Sequence, residues 1–186
     1  MGHRALDEFT HAYIEAALFT ESDESTPSGG QPLDKNYGES DITDESLAVI
    51  DAQCEKFQQL YGDVIDAATC RQGQYSNREM AGHDFWMTRN GHGVGFWDGD
   101  WSPQDLADQL DEGAKKFGEA HLDVGDDGAI HYEDEDYGRS LRAAATTTRY
   151  SSGGGGVRTH CGRCGAALQF AGAGGMRCPV HWYDYK

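Results

Sequence analysis

Apolar side chains recur every three or four positions in two stretches of the N-terminal half of the sequence. The first stretch covers residues 6–19 and the second begins after Thr43, and this spacing predicts two helices that each bury one face. Asp44 and Glu45 follow Thr43, as expected for a helix with an N-cap and an acidic first turn. We expect the second helix to pack on the core, with a coiled-coil seam as the alternative. The apolar positions are Leu6, Phe9, Tyr13 and Ala16 in the first helix and Leu47, Ile50, Cys54, Phe57, Tyr61, Val64 and Ala68 in the second.

Residues 82–101 contain the strongest turn signal in the chain. Asn90 and Gly91 both tolerate positive φ, so they predict a two-residue turn between two strands. One face of that hairpin is then apolar and buried, and it consists of Phe85, Met87, Val94 and Phe96. The other face carries Trp86 and Trp97. The sequence leaves open whether these two rings form a second buried layer or an exposed aromatic patch.

The remaining N-terminal elements are a loop, a helix and a second hairpin. Segment 21–40 is rich in Ser, Asp, Gly and Pro and predicts a long acidic loop. A third helix is expected from Ser102 as N-cap to Gly118, with proline at its first position. A three-residue loop at 126–128 predicts the second hairpin, whose apolar face consists of Leu122, Val124, Ile130 and Tyr132. The predicted fold class is therefore α+β, a small antiparallel sheet of two hairpins packed with about three helices.

Charge divides the 186 residues, whose net charge is −17, into two unlike parts. Residues 1–136 contain 31 acidic and eight basic side chains, whereas residues 137–186 contain one acidic and seven basic side chains. The Ala, Thr, Ser and Gly residues of segment 137–156 predict a flexible linker. We therefore expect an acidic body over 1–136, this linker, and a small basic module over 157–186. The excess of acidic residues argues against direct binding of the body to nucleic-acid phosphates; an acidic surface that only confers solubility is the alternative reading.

Membrane and secretory classes are not predicted. No stretch of the sequence approaches the ~18 apolar residues needed to span a bilayer. The N-terminal residues lack the apolar segment of a signal peptide. We expect a soluble intracellular protein with no membrane partner.

The C-terminal module contains the one strong chemical motif. Two short knuckles, each with two soft ligands, are separated by thirteen residues, a spacing typical of tetrahedral zinc sites. The predicted ligands of a structural Zn²⁺ are Cys161, Cys164, Cys178 and His181. Two disulfides are the alternative, which an intracellular setting disfavours. A module of about thirty residues lacks the core to fold unaided, so metal binding would supply its folding free energy. The fold prediction thus adds a C-terminal zinc-ribbon or zinc-knuckle module.

Several side chains are candidates for contact with a partner. In the tail, basic and aromatic residues lie together around the predicted metal, a combination found on faces that dock nucleic acid or protein. In the body, the aromatic face of the first hairpin and its turn are the corresponding candidates. The candidate partner-binding residues are Trp86, His92, Trp97, Arg163, Arg177 and Trp182.

Enzymatic chemistry has weaker support. Cys54 lies on the helical stripe and is expected to be a buried apolar residue, and Cys70 has no activating base nearby in sequence. Histidine and aspartate side chains of the body could gather at a metal-dependent hydrolytic site, namely His83, His92, His121, His131, Asp84, Asp98 and Asp100. No paired ligand motif accompanies them, so no catalytic residue is predicted.

The run DFWMTRNGHGVGFWD at residues 84–98 resembles a marker of a family of small acidic proteins from tailed bacteriophages. Stretches FTHAYIEAALFTE at 9–21, PLDKNYGESDITDES at 32–46 and the segment 114–130 are similar to the same family, so the resemblance covers residues 5–133. It implies a phage origin and action in the cytoplasm of the infected bacterial host, but it implies no activity. The zinc-like tail departs from the family pattern.

Three functions follow from these features as hypotheses. The first is a non-enzymatic phage accessory protein whose acidic body binds a basic host or phage protein, through nucleic-acid mimicry or inhibition of a nucleic-acid-binding protein. The second is a zinc-ribbon protein that binds nucleic acid through its tail alone. The third is a metal-dependent hydrolase.

Overall fold

The computed structural model describes residues 5–25 and 29–134, and in the tail only the backbone of three short strands. The chain divides into two compact units, Met1–Glu133 and Asp134–Lys186. In the described part of the first unit, four helices are combined with short antiparallel strand pairs, so the coarse α+β class is confirmed. None of the described helices is long and apolar enough to cross a bilayer.

Both predicted N-terminal helices are present. Helix α1 spans Glu8–Thr20, and the Asp7 carboxylate caps it by accepting a hydrogen bond from the Thr10 N–H. Helix α2 spans Asp44–Ala67 and begins at Thr43, whose hydroxyl accepts from the Ser46 N–H. The predicted stripe of α2 packs into the core, where Ile50, Cys54 and Phe57 are buried; Ile65, which the predicted stripe did not include, is buried as well, whereas Val64 is only partly buried.

The predicted first hairpin is wrong. Helix α3 spans Asn77–Arg89, so Phe85, Trp86 and Met87 are helical. Ser76 starts the helix with a capping box, in which its hydroxyl and the Glu79 carboxylate each accept from the other residue's N–H. Asn90 and Gly91 end the helix, with Gly91 at φ 65°. A left-handed glycine satisfies a helix C-terminus as well as a hairpin turn, so the same signal serves either structure.

Helix α4 and the second hairpin are close to the prediction. Helix α4 spans Gln104–Lys115 with Pro103, not Ser102, at its N-cap position, and Gly118 follows its end at φ 70°. Strands Ala120–Val124 and Ile130–Asp134 form the predicted hairpin. The Gly125 N–H donates to the Ala129 carbonyl, which closes the expected three-residue loop with Gly128 at φ 77°.

Smaller elements complete the description. Segment 21–40, predicted as a loop, contains two 2-residue strands and the short 3-10 helix Leu33–Lys35, and a second 3-10 helix, Glu39–Asp41, begins at its end. Numbered in chain order, the strands are β1 Ser22–Asp23, β2 Gln31–Pro32, β3 Thr69–Cys70, β4 Trp101–Ser102, β5 Ala120–Val124, β6 Ile130–Asp134, β7 Gln169–Phe170, β8 Met176–Arg177 and β9 Asp184–Tyr185. They pair as β1–β2, β3–β4, β5–β6 and a three-stranded β7–β8–β9 sheet.

The core of the first unit is an aromatic cluster between α1, α2 and α3. The rings of Phe57 and Phe85 stack with centroids 4.2 Å apart. Helices α1 and α3 cross at Gly82, where an added Cβ would overlap the carbonyl of Phe9. The crossing therefore brings two backbones into contact, which only glycine allows at this position.

A buried arginine lies at the end of this core. The Arg89 side chain donates to five oxygens, and its guanidinium lies over the Phe85 ring. The acceptors are the hydroxyls of Tyr13 and Tyr132 (both 2.8 Å), the Gln53 amide (3.0 Å) and the carbonyls of Gly118 (2.7 Å) and Phe117 (2.9 Å). Burial raises the pKa of Tyr13 to about 12, although Arg89 opposes the shift, so its hydroxyl is neutral in this network.

Candidate interaction surface

The two tryptophans expected on one hairpin face are separated in the structure. Trp86 is 0% exposed; its indole N–H donates to the Thr20 hydroxyl at 2.7 Å, and its ring meets Tyr13 edge to face. Trp97 is 51% exposed. Trp86 is therefore a core residue that no partner can reach in this fold, because α3 turns its side chain inward. Trp97 lies beyond the end of α3 and its side chain is accessible to a partner.

His92 follows the end of α3 and is only partly exposed. Its Nε2 atom is buried without a hydrogen-bond partner among the described residues. Burial, and secondarily the nearby His121, lowers the pKa of His92. The ring is thus held in its neutral form over a wider pH range than an exposed histidine.

Three of the four histidines considered for hydrolysis lie in separate pairs with a carboxylate. His83 Nδ1 lies 2.8 Å from Asp84 Oδ1, and Asp84 also accepts from the Trp101 indole at 2.6 Å. Elsewhere, His131 pairs with Asp127, and His121 with Glu21. Within residues 5–25 and 29–134, no three His, Cys, Asp or Glu side chains are placed to hold a metal ion.

The two cysteines of the first unit are both buried free thiols. Burial raises the pKa of Cys70 and raises that of Cys54 well above its usual range. Asp84, Asp98 and Asp100 add to the increase at Cys70. Thiols in this state are poor nucleophiles, as the sequence indicated.

Acidic side chains cover the described surface. Of the 29 acidic residues in the described part of residues 5–134, only Asp23, Asp84 and Asp134 are buried. Six acids of α2 fall within an arc of about 120° on the side opposite the apolar stripe, at 3.6 residues per turn. We call them the α2 acidic stripe: Asp44, Glu45, Asp51, Glu55, Asp63 and Asp66.

The α2 acidic stripe is a feature that the sequence analysis missed, although the periodicity needed to find it was present. Acids recur in the gaps of the apolar pattern that predicted the helix. Between Asp44 and Asp66 they span about 33 Å, at a rise of about 1.5 Å per residue. This spacing gives roughly one carboxylate per 6–7 Å of axis, about half the linear charge of one DNA strand.

An open recess of about 380 Å³ lies where α1 and α2 begin. Leu6, Leu47 and Ala48 supply its apolar side, and His11 Nδ1 meets Glu39 Oε2 at 2.8 Å on its rim. Asp44 and Asp51 of the stripe also line it. The recess therefore joins a small apolar surface to one end of the acidic stripe.

The predicted metal ligands Cys161, Cys164, Cys178 and His181 lie outside the described residues, as do Arg163, Trp182 and the predicted linker. Arg177 lies in β8, of which the backbone alone is described. Residues Gln169 and Phe170 of β7 pair with Arg177 and Met176 of β8, and β8 pairs with β9. A hairpin therefore lies between the two predicted knuckles.

Comparison with protein-family models, curated proteins and solved structures finds no match.

Proposed function

We propose that this chain is a non-enzymatic bacteriophage accessory protein that acts in the infected host cell and binds a basic host or phage protein through its acidic N-terminal unit. The α2 acidic stripe carries the proposal. It presents carboxylates in a row on a helix whose other face is fixed in the core. A partner with a basic groove, such as one that binds nucleic acid, complements that charge.

Association of this kind is expected to depend on salt and on the position of the charges. The purified full chain should retain a basic nucleic-acid-binding protein from bacterial lysate at low salt and release it at about 0.5 M salt, because screening shortens the range of the attraction. Mass spectrometry identifies the protein. The fourfold variant D51N/E55Q/D63N/D66N should then bind it about tenfold more weakly at low salt.

A matched variant tests whether the stripe or only the net charge matters. E119Q/D123N/D126N/E133Q removes four exposed carboxylates of the β5–β6 region and changes the net charge equally. Its affinity should fall much less than that of the α2 variant. Equal losses would assign the attraction to overall charge, and retention of no basic protein at low salt would refute the proposal.

We propose as a second candidate that the C-terminal unit binds Zn²⁺ and contacts nucleic acid. The pairing of β7 with β8 supports it, because a hairpin between two knuckles is what a zinc ribbon requires. The net positive charge of the tail supports the same reading.

Cys161→Ser is expected to abolish the binding of one zinc per chain, measured by elemental analysis of the purified protein. His160→Ala is the matched control, since a residue adjacent to Cys161 is poorly placed to share the metal, and it should keep one zinc. Thermal unfolding of the N-terminal unit should be unchanged in both variants. Arg163→Ala should weaken binding of the zinc-loaded chain to single- or double-stranded nucleic acid; wild type that binds neither at low salt would eliminate this function.

A further inference from the structure

Trp97 differs from the other described tryptophans in its exposure. Trp86 and Trp101 are buried, whereas Trp97 is 51% exposed, and Val94 on the same loop is 40% exposed. Both belong to the segment between α3 and β4, residues 91–100, which we call the Trp97 loop. Tryptophan is among the residues most enriched at the energetic hot spots of protein interfaces, where its large ring supplies much of the contact.

The Trp97 loop is held in place from inside. The side chain of Phe96 is fully buried, and its N–H donates to the Thr88 hydroxyl at 3.0 Å. Gly95 has φ 148°, and an added Cβ there would overlap the same hydroxyl. Because Phe96 is anchored in the core, the adjacent Trp97 is directed outward.

The acidic residues after Trp97 fix the other side of the loop. Asp98 accepts from the Gly95 N–H at 3.3 Å and from the Asp100 N–H at 3.0 Å. The Asp100 carboxylate accepts a hydrogen bond from the Gln72 amide at 3.1 Å, and the backbone carbonyl of Asp100 accepts one from the Arg71 N–H. The loop is therefore ordered before any partner arrives, which reduces the entropic cost of binding.

From this arrangement we infer that the Trp97 loop is a preformed site for a Lys or Arg side chain of the basic partner, an inference that rests on the proposed function. An indole face attracts a cation, and neighbouring carboxylates add to the attraction. Stacking on a nucleobase is the rival use of an exposed indole. The carboxylates of Asp98 and Asp100, on a unit of high negative charge, repel the phosphates that would accompany the base.

A ten-residue lysine peptide tests the inference on the ¹⁵N-labelled full chain. Titration should shift the Trp97 indole N–H signal, identified by its absence in Trp97→Ala. Trp97→Ala should weaken peptide binding about fivefold, the change expected for losing a cation–π contact at an exposed site. Trp97→Phe should be intermediate, because a benzene ring attracts a cation less than an indole does. Val94→Ala, which removes exposed apolar surface from the same loop without a ring, should bind like wild type.

The outcomes separate this inference from the function on which it rests. An unmoved Trp97 signal together with wild-type affinity in Trp97→Ala overturns the inference, while loss of binding in the α2 fourfold variant would still support the acidic stripe. Equal weakening by Val94→Ala and Trp97→Ala also overturns it, because apolar area would then account for the effect. A Trp97 shift with a ten-nucleotide thymidine strand and none with the peptide assigns the ring to base stacking and overturns it as well.

Discussion

Gly82→Ala is expected to destabilise the N-terminal unit by about 3 kcal/mol or more, a large effect for one methyl group. The added Cβ would overlap the backbone carbonyl of Phe9, so helices α1 and α3 must move apart. Separation of the helices also loosens the aromatic core that they share, including the stacking of Phe57 on Phe85. Urea unfolding monitored by circular dichroism measures the change.

Gly62→Ala is the matched control, since it makes the same substitution at another buried helical glycine. The nearest atom to its added Cβ is a guanidinium nitrogen of Arg78 at 3.7 Å, an ordinary contact. Replacing a helical glycine without a clash should stabilise the unit by about 0.5–1 kcal/mol. Similar unfolding midpoints for Gly82→Ala and Gly62→Ala would contradict the close crossing of α1 and α3.

Arg89→Met is expected to lower the free energy of unfolding by about 3–5 kcal/mol, the second large effect, because several acceptors of the network lose their donor. The thioether fills part of the space but donates no hydrogen bond. The hydroxyls of Tyr13 and Tyr132 can still bond to each other at 3.0 Å, whereas the carbonyls of Phe117 and Gly118 lose their arginine donors. Arg89→Lys should recover only part of the loss, because one ammonium cannot reach five acceptors in a planar fork.

The control for Arg89 is Arg78→Met on the surface between α2 and α3. Arg78 donates to Gln58 and pairs with Asp66 at 2.7 Å, but both groups of that ion pair are partly exposed. Its loss should cost less than about 1 kcal/mol. Comparable losses of stability in the Arg89 and Arg78 variants would show that the Arg89 network contributes little.

The sequence predicted an element correctly where its local pattern was compatible with only one kind of secondary structure. Helices α1 and α2 follow from their apolar spacing and, for α2, from the cap at Thr43. The β5–β6 hairpin follows from its three-residue loop, since a two-residue loop at Asp127 and Gly128 would instead place Val124 opposite His131.

Helix α3 could not be resolved by the same reasoning. Asn90-Gly91 accepts positive φ in either a turn or a helix C-terminus, and the apolar residues beside it fit both periods over a short stretch. The capping box at Ser76 and Glu79 was the signal that favours the helix. The contacts of Gly82 and Arg89 are with residues far away in the chain. No local sequence pattern therefore predicts that these two residues stabilise the fold.

The candidate interaction surface was also predictable from the sequence only in part. The excess of acid was evident from composition, but the α2 acidic stripe becomes a surface only once the opposite face of the helix is buried. The separation of Trp97 from Trp86 depends on α3 being a helix, because α3 buries Trp86 and ends at Arg89, so Trp97 lies in the following loop and not on a strand paired with that of Trp86.

The Arg89 network also sets the order in which the unit can be completed during synthesis. It joins Tyr13 to Tyr132, 119 positions later, so the network stays incomplete in the nascent chain until β6 has left the ribosome. Until then α1, α2 and α3 can pack on one another, but Arg89 and Tyr13 lack the Tyr132 hydroxyl as a hydrogen-bond partner. Chaperone dependence and loss by proteolysis should therefore be greatest for chains that terminate just before Tyr132.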